Sequence, residues 1–92
     1  MARTRLALLA CLDTREGVWS RARGNESAVK IIGLGEGEYV EIEIRSGPVH
    51  DSMIYRSPGV FSLPWKDFDQ YRISKFAGNG VRSSTTVEVI LS

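Results

Sequence analysis

The chain has 92 residues, 42% of them hydrophobic and 25% charged, with a net charge of +1. That length makes one domain with one modest core, which buries roughly 60–65% of the unfolded surface. The near-neutral charge excludes a general attraction to nucleic acid or membrane, and the single Cys11 with the single His50 excludes an internal disulfide and a Cys/His zinc site.

Residues 1–5 are basic and residues 6–12 apolar, and Leu8-Leu9-Ala10-Cys11 resembles a lipoprotein box. The apolar run is at the short limit for a signal peptide and far below the ~20 residues needed to span a bilayer, so we expect neither processing nor membrane insertion. Residues 5–12 read as a first strand or an arm. Leu6, Leu8, Ala10 and Leu12 fall on one face and Ala7, Leu9 and Cys11 on the other. Both faces are apolar, which requires cover on both sides. A short helix is the competing reading, since Leu and Ala are good helix formers. The division expected is an arm or first strand over 1–16 and a sandwich domain over 17–92.

Residues 18–23 alternate Val18, Ser20 and Ala22 with Trp19, Arg21 and Arg23, and Gly24-Asn25 signals a turn. Residues 27–32 predict a strand with Val29 and Ile31 inward and Lys30 outward. Gly33, Gly35 and Gly37 predict a hairpin loop. Residues 39–45 carry the clearest period of two. Val40, Ile42 and Ile44 form an apolar face, and Glu41, Glu43 and Arg45 form a polar, wet one. After the Ser46-Gly47-Pro48 break, residues 49–55 predict a weaker strand with Val49, Met53 and Tyr55 on one side.

Residues 59–76 hold Phe61, Trp65, Phe68, Tyr71 and Phe76. We read strand, corner, strand. Pro64 cannot donate to a ladder, so it ends the first strand or sits on an edge. Residues 66–69 turn the chain, and residues 71–76 return. Large aromatics at such a corner bind two sheets together. Gly78-Asn79-Gly80 predicts a turn. A closing strand over 84–91 puts Thr85, Val87, Val89 and Leu91 opposite Thr86, Glu88 and Ile90. The fold expected is all-β, a single antiparallel β-sandwich of seven or eight strands, immunoglobulin-like or jelly-roll-like. The expected core is Trp19, Ile31, Val40, Ile42, Ile44, Phe61, Trp65, Tyr71, Ile73, Val87 and Val89.

No convergent acid, base or nucleophile stands out, so we expect no enzyme and no cofactor. Gly33-x-Gly-x-Gly37 lacks the third glycine spacing and the helix of a dinucleotide loop, and Glu36 and Glu38 repel phosphate. His50 and Asp51, adjacent on a strand, point to opposite faces and form no catalytic pair. Ser27-x-x-Lys30 needs a helix to act as an acyl-enzyme motif. Asn25-Glu26-Ser27 is a glycosylation sequon of meaning only in a secretory setting. Glu36, Glu38, Glu41 and Glu43 read as a solvated face rather than a metal site. Residues 1–24 hold five arginines (Arg3, Arg5, Arg15, Arg21 and Arg23) against Asp13 and Glu16, a local charge of +3. This end could dock onto an acidic partner surface or nucleic acid, and arginine-only basicity favours bidentate pairing with carboxylates; a solvated terminus is the equal competing reading.

The order of landmarks carries a resemblance. G-V-W-S-R-A-R-G at 17–24 is followed by A-V-K-I-I-G-L at 28–34 and Y-V-E-I-E-I at 39–44. G-V-F-S-L-P-W, Y-R-I-S-K-F and T-T-V-E-V-I-L then close the chain. In outline, residues 6–91 resemble small β-sandwich structural proteins of tailed bacteriophages, which decorate or cement the capsid shell or sit on the tail. The resemblance implies a non-enzymatic virion protein, most readily a capsid decoration or cement protein, assembled in the host cytoplasm. It implies the major capsid protein or other virion subunits as partners and homo-oligomeric arrangement on a particle lattice, without nucleic acid or membrane. On this reading Leu6, Leu8, Leu9 and Leu12 are buried against a neighbour, and Arg3 and Arg5 pair across a seam between subunits. The alternative is a tail adaptor or a carbohydrate- or receptor-binding module, with Trp65 or Tyr55 stacking on sugars.

Overall fold

The computed structural model describes residues 4–8, 17–77 and 87–92. Eight strands follow in chain order: β1 (Thr4–Leu8), β2 (Ser20–Arg21), β3 (Ala28–Ile32), β4 (Glu38–Ser46), β5 (Val49–Tyr55), β6 (Gly59–Ser62), β7 (Gln70–Ala77) and β8 (Val87–Leu91). No described residue is helical. The strands form two antiparallel four-stranded sheets that pack as a sandwich, as the alternation predicted. One sheet has the order β1-β8-β3-β6 and the other β2-β7-β4-β5. If the two-residue β2 is set aside, seven strands remain.

This order decides between the two sandwich types. An immunoglobulin-like domain keeps consecutive strands side by side within a sheet. Here β4–β5 is the single consecutive pair that shares a ladder, and the other links between described neighbours cross from one sheet to the other. Sheets ordered 1-8-3-6 and 2-7-4-5 are the double Greek key of a jelly roll. The glycine-rich segment 33–37 is therefore an arch between sheets, and the hairpin expected there is not formed. The real hairpin is β4–β5, where Gly47 turns the chain at φ 59°.

The core lies between the sheets. Val29 and Ile31 of β3 and Val87, Val89 and Leu91 of β8 face Val40, Ile42 and Ile44 of β4 and Tyr71 and Ile73 of β7. Leu34, Leu63 and Phe68 close it from the connecting segments. Phe61 and Trp65 are partly buried against it rather than central. The corner between β6 and β7 crosses the sheets as predicted, and Trp65 meets Phe68 edge-on at 6.1 Å. Asp67 adopts φ 67° at this corner, a conformation that short polar side chains tolerate. The open side of the sandwich is closed by Tyr55 of β5 against Phe61 of β6, ring centroids 4.7 Å apart.

Two buried carboxylates hold the ends of the sandwich. Glu26, fully buried, accepts from the backbone N–H groups of Arg23 and Gly24 at 3.0 Å each. Glu38 Oε2 lies 3.3 Å from Lys75 Nζ with both side chains 3% exposed, and its Oε1 accepts from Gly35 N–H at 2.8 Å. Residues 4–8 form β1 on the chain's own β8, with Leu6 opposite Val89 and Leu8 opposite Val87. Arg3, Leu9, Leu12, Cys11 and the Gly78-Asn79-Gly80 turn lie outside the described residues.

Candidate functional site

The outer face of the β2-β7-β4-β5 sheet gathers the chain's most chemically distinctive side chains. Strand alternation places Tyr39, Glu41, Glu43 and Arg45 of β4 outward, because Val40, Ile42 and Ile44 are committed to the core. Register then fixes rows across the sheet. Arg45 sits between Gln70 of β7 and His50 of β5, and Gln70 in turn pairs with Arg21 of β2. The next row holds Arg72, Glu43 and Ser52, then Ser74, Glu41 and Ile54. Phe76 and Tyr39 end the face.

Trp19, immediately before β2, lies over the first two rows. The Arg45 guanidinium carbon is 3.8 Å from its ring centroid and that of Arg72 is 4.7 Å away. His50 meets it edge-on at 5.9 Å. The indole is therefore a cation platform on the outside of the sheet, and the expected core role of Trp19 is not realised. The alternation already grouped Trp19 with Arg21 and Arg23; size alone had pointed inward.

Under this cover Glu43 is 9% exposed, so the face expected to be wet is partly closed. Arg72 grips it in a fork, Nε to Oε1 at 2.8 Å and Nη2 to Oε2 at 2.9 Å, and His50 Nε2 lies 3.2 Å from Oε2. Hydrogen bonding from Arg72 holds the Glu43 carboxyl below the usual carboxylate range. Burial opposes this, and the Arg72 charge and His50 reinforce it. The same hydrogen bond raises Arg72. At the far end Tyr39 stacks on Phe76 at 5.2 Å, and the Arg56 guanidinium lies 5.0 Å from the Tyr39 ring. Ile54 is 51% and Phe76 41% exposed.

The acidic run does not form a solvated face as a whole. Glu38 is in the core-end ion pair and Glu43 in the Arg72 fork, while Glu41 accepts from Ser52 Oγ at 2.7 Å. No group of three or more His, Cys, Asp or Glu among the described residues is arranged to hold a metal ion. His50 and Asp51 diverge as adjacent strand residues must. His50 joins the outer face, and Asp51 accepts from Trp65 Nε1 at 2.8 Å across the sandwich rim. A shallow cleft beside the face is lined by Arg21, Arg23, Gly24, Asp67, Asp69 and Gln70. Of the residues expected to meet a partner, Arg5, Leu6 and Leu8 fall on β1, at the edge of the opposite sheet. They are not part of this outer face.

The class defined by these features is a jelly-roll β-sandwich with an aromatic- and arginine-rich sheet face. Comparison with known proteins gave no matching family model, no matching curated protein and no matching solved structure.

Proposed function

We propose that the protein is a non-enzymatic structural subunit of a tailed-phage particle, a decoration or cement protein that binds an assembled shell. The observation that carries a binding role is the outer face itself. Trp19, Tyr39, Phe76, Arg45, Arg56 and Arg72 share one broad sheet surface. Aromatic and arginine side chains are the residues enriched in the energetic centres of protein interfaces. The virion assignment rests on the sequence resemblance, and the jelly roll fits it, since shell proteins are among the users of this topology. A fold hosts many functions, so the topology adds compatibility and no more.

The mechanism is passive. A subunit that binds the assembled state and not its separated parts stabilises assembly by mass action, and repetition over a lattice adds avidity. Arg3 and Arg5 remain the proposed contacts of the N-terminal segment. Because residues 4–8 supply a ladder to β8, removal of residues 1–12 would also strip a strand from its sheet. Charge reversal of Arg3 and Arg5 tests the contact while the chain length is kept.

The deciding experiment is quantitative mass spectrometry of source particles with heads and tails separated. Hundreds of copies per head are expected. A handful confined to tails would establish the second reading, a tail adaptor or glycan-binding module. That reading is favoured by the incomplete burial of Trp19, Trp65 and Tyr55, which leaves aromatic surface for stacking. Absence from both fractions would overturn the virion assignment.

A further inference from the structure

We infer that Arg45, held on the Trp19 platform, is a preformed receptor for a carboxylate presented by a protein partner. The inference deepens the binding role proposed above and rests on it. Arg45 is fixed from two directions. Its Nε donates to Gln70 Oε1 at 2.8 Å, and its guanidinium lies 3.8 Å from the Trp19 centroid. Ordering a free arginine costs rotamer entropy at the moment of binding, and here that ordering already exists.

Among the described residues no carboxylate neutralises the charge of Arg45. The carboxylate nearest in sequence, Glu43, is engaged by Arg72 and His50, and no described carboxylate lies within 4.0 Å of Arg45. Its two Nη groups hydrogen-bond to no described residue. A planar, half-buried fork of donors, stacked on the indole and pinned at Nε, with no described partner at its Nη groups, has the geometry that a carboxylate satisfies with two parallel bonds. Arg21 stands two strands away in the same row, with Gln70 between, which sets the two guanidinium-bearing backbones roughly 10 Å apart. His50 flanks Arg45 on the other side.

The surroundings select among anions. Glu41 and Glu43 lie on the same face, and Asp67 and Asp69 line the adjoining cleft, with Asp69 Oδ2 accepting from Ser46 Oγ at 2.9 Å. These acids repel a polyanion that carries a charge every few ångströms along its length. An isolated side-chain carboxylate, flanked by apolar surface that matches exposed Ile54 and Phe76, meets no such penalty. A protein surface that presents one such carboxylate beside apolar side chains is therefore the partner, in preference to nucleic acid.

The test uses the full chain, low salt and nitrogen-15 NMR of side-chain Nε and indole signals. The probes are a peptide with one glutamate between apolar residues, its glutamine analogue and a single-stranded DNA oligonucleotide. The glutamate peptide is expected to shift Arg45 Nε, Gln70 and Trp19 saturably, and the glutamine peptide to shift none of them. Arg45→Gln and Arg45→Lys are both expected to weaken the peptide by about tenfold, since lysine supplies charge without the fork. Unchanged backbone amide spectra certify that both variants fold. Full binding by Arg45→Gln, absence of a saturable shift, or tighter binding of the oligonucleotide would each overturn the inference. Full binding by Arg45→Lys would overturn the bidentate recognition. None of these readouts depends on where the protein resides in a particle, so failure of the virion assignment is read separately.

Discussion

Arg72 and Glu43 stand directly opposite one another on β7 and β4 and close a two-bond fork at 2.8 and 2.9 Å on the outside of the sheet. Trp19 lies against the Arg72 side of this pair and His50 against the Glu43 side. One cross-strand pair thus fixes the platform on which Arg45 rests, and the placement of Arg45 follows from the sheet register.

The pair makes stability depend on acid. The Glu43 carboxyl is depressed in the folded state, so its contribution is fully present above its ordinary value of 4.5. It is lost as pH falls from there through the depressed folded value. Glu43→Gln is expected to lower the denaturant midpoint at neutral pH and to match the parent protein in strong acid. Urea melts of both proteins from neutrality to acid check this, and a difference independent of pH would contradict it.

Glu38 and Lys75 are the opposite case, an ion pair on the inner side of the sheet with both side chains 3% exposed. Removing one partner leaves a buried charge uncompensated, so Lys75→Met is expected to cost ~3–5 kcal/mol. Replacing both, Lys75→Met with Glu38→Gln, should recover most of that loss. Equilibrium unfolding in a double-mutant cycle measures the coupling, and additive losses would show that the pair does not act as a unit.

These two pairs also mark the limit of what the sequence carries. Strands β3 to β7 were legible because Val40, Ile42 and Ile44, or Tyr71 and Ile73, repeat with period two, which is a local property of the chain. The choice between jelly roll and immunoglobulin order was not legible, since nothing near Gly33 or Gly37 encodes which sheet receives the next strand. The burial of Glu38 and Glu43 was hidden for the same reason. Lys75 and Arg72, which neutralise them, lie 37 and 29 residues along the chain. Trp19 is different: its placement beside Arg21 and Arg23 in the alternation was a usable signal for an outer position. The arginines of residues 1–24 stood out in the sequence, whereas Arg45 did not, because its placement depends on Gln70 of β7 and on Trp19 before β2.

Tyr55 predicts the behaviour in alkali. Burial against Phe61 raises its phenol above the ordinary value of 10.0. A raised folded value means that its contribution is complete below pH 10 and declines above it, as the unfolded chain ionises more readily. Tyr55→Phe is expected to unfold at a higher pH than the parent. Far-ultraviolet circular dichroism across an alkaline titration reads this directly, and an unchanged midpoint would show that Tyr55 does not limit alkaline stability.

Glu26 gives a prediction free of charge pairing. Its buried carboxylate accepts from two consecutive backbone N–H groups, those of Arg23 and Gly24, and so ties the turn after β2 to the start of β3. Glu26→Ala leaves both donors without their acceptor, at a cost of ~1–3 kcal/mol for an unsatisfied buried group. Glu26→Gln keeps one acceptor oxygen of nearly the same reach, so its loss is expected to be smaller. Native-state hydrogen exchange separates this from general destabilisation: the Arg23 and Gly24 amides should speed up more than amides in β4. The turn also sets Arg21 in the row with Gln70 and Arg45, so Glu26→Ala should move the Arg21 Nε signal of the free protein before it alters that of Arg45. Uniform acceleration of exchange across the sheet would mean that Glu26 serves global stability and not the local geometry of the face.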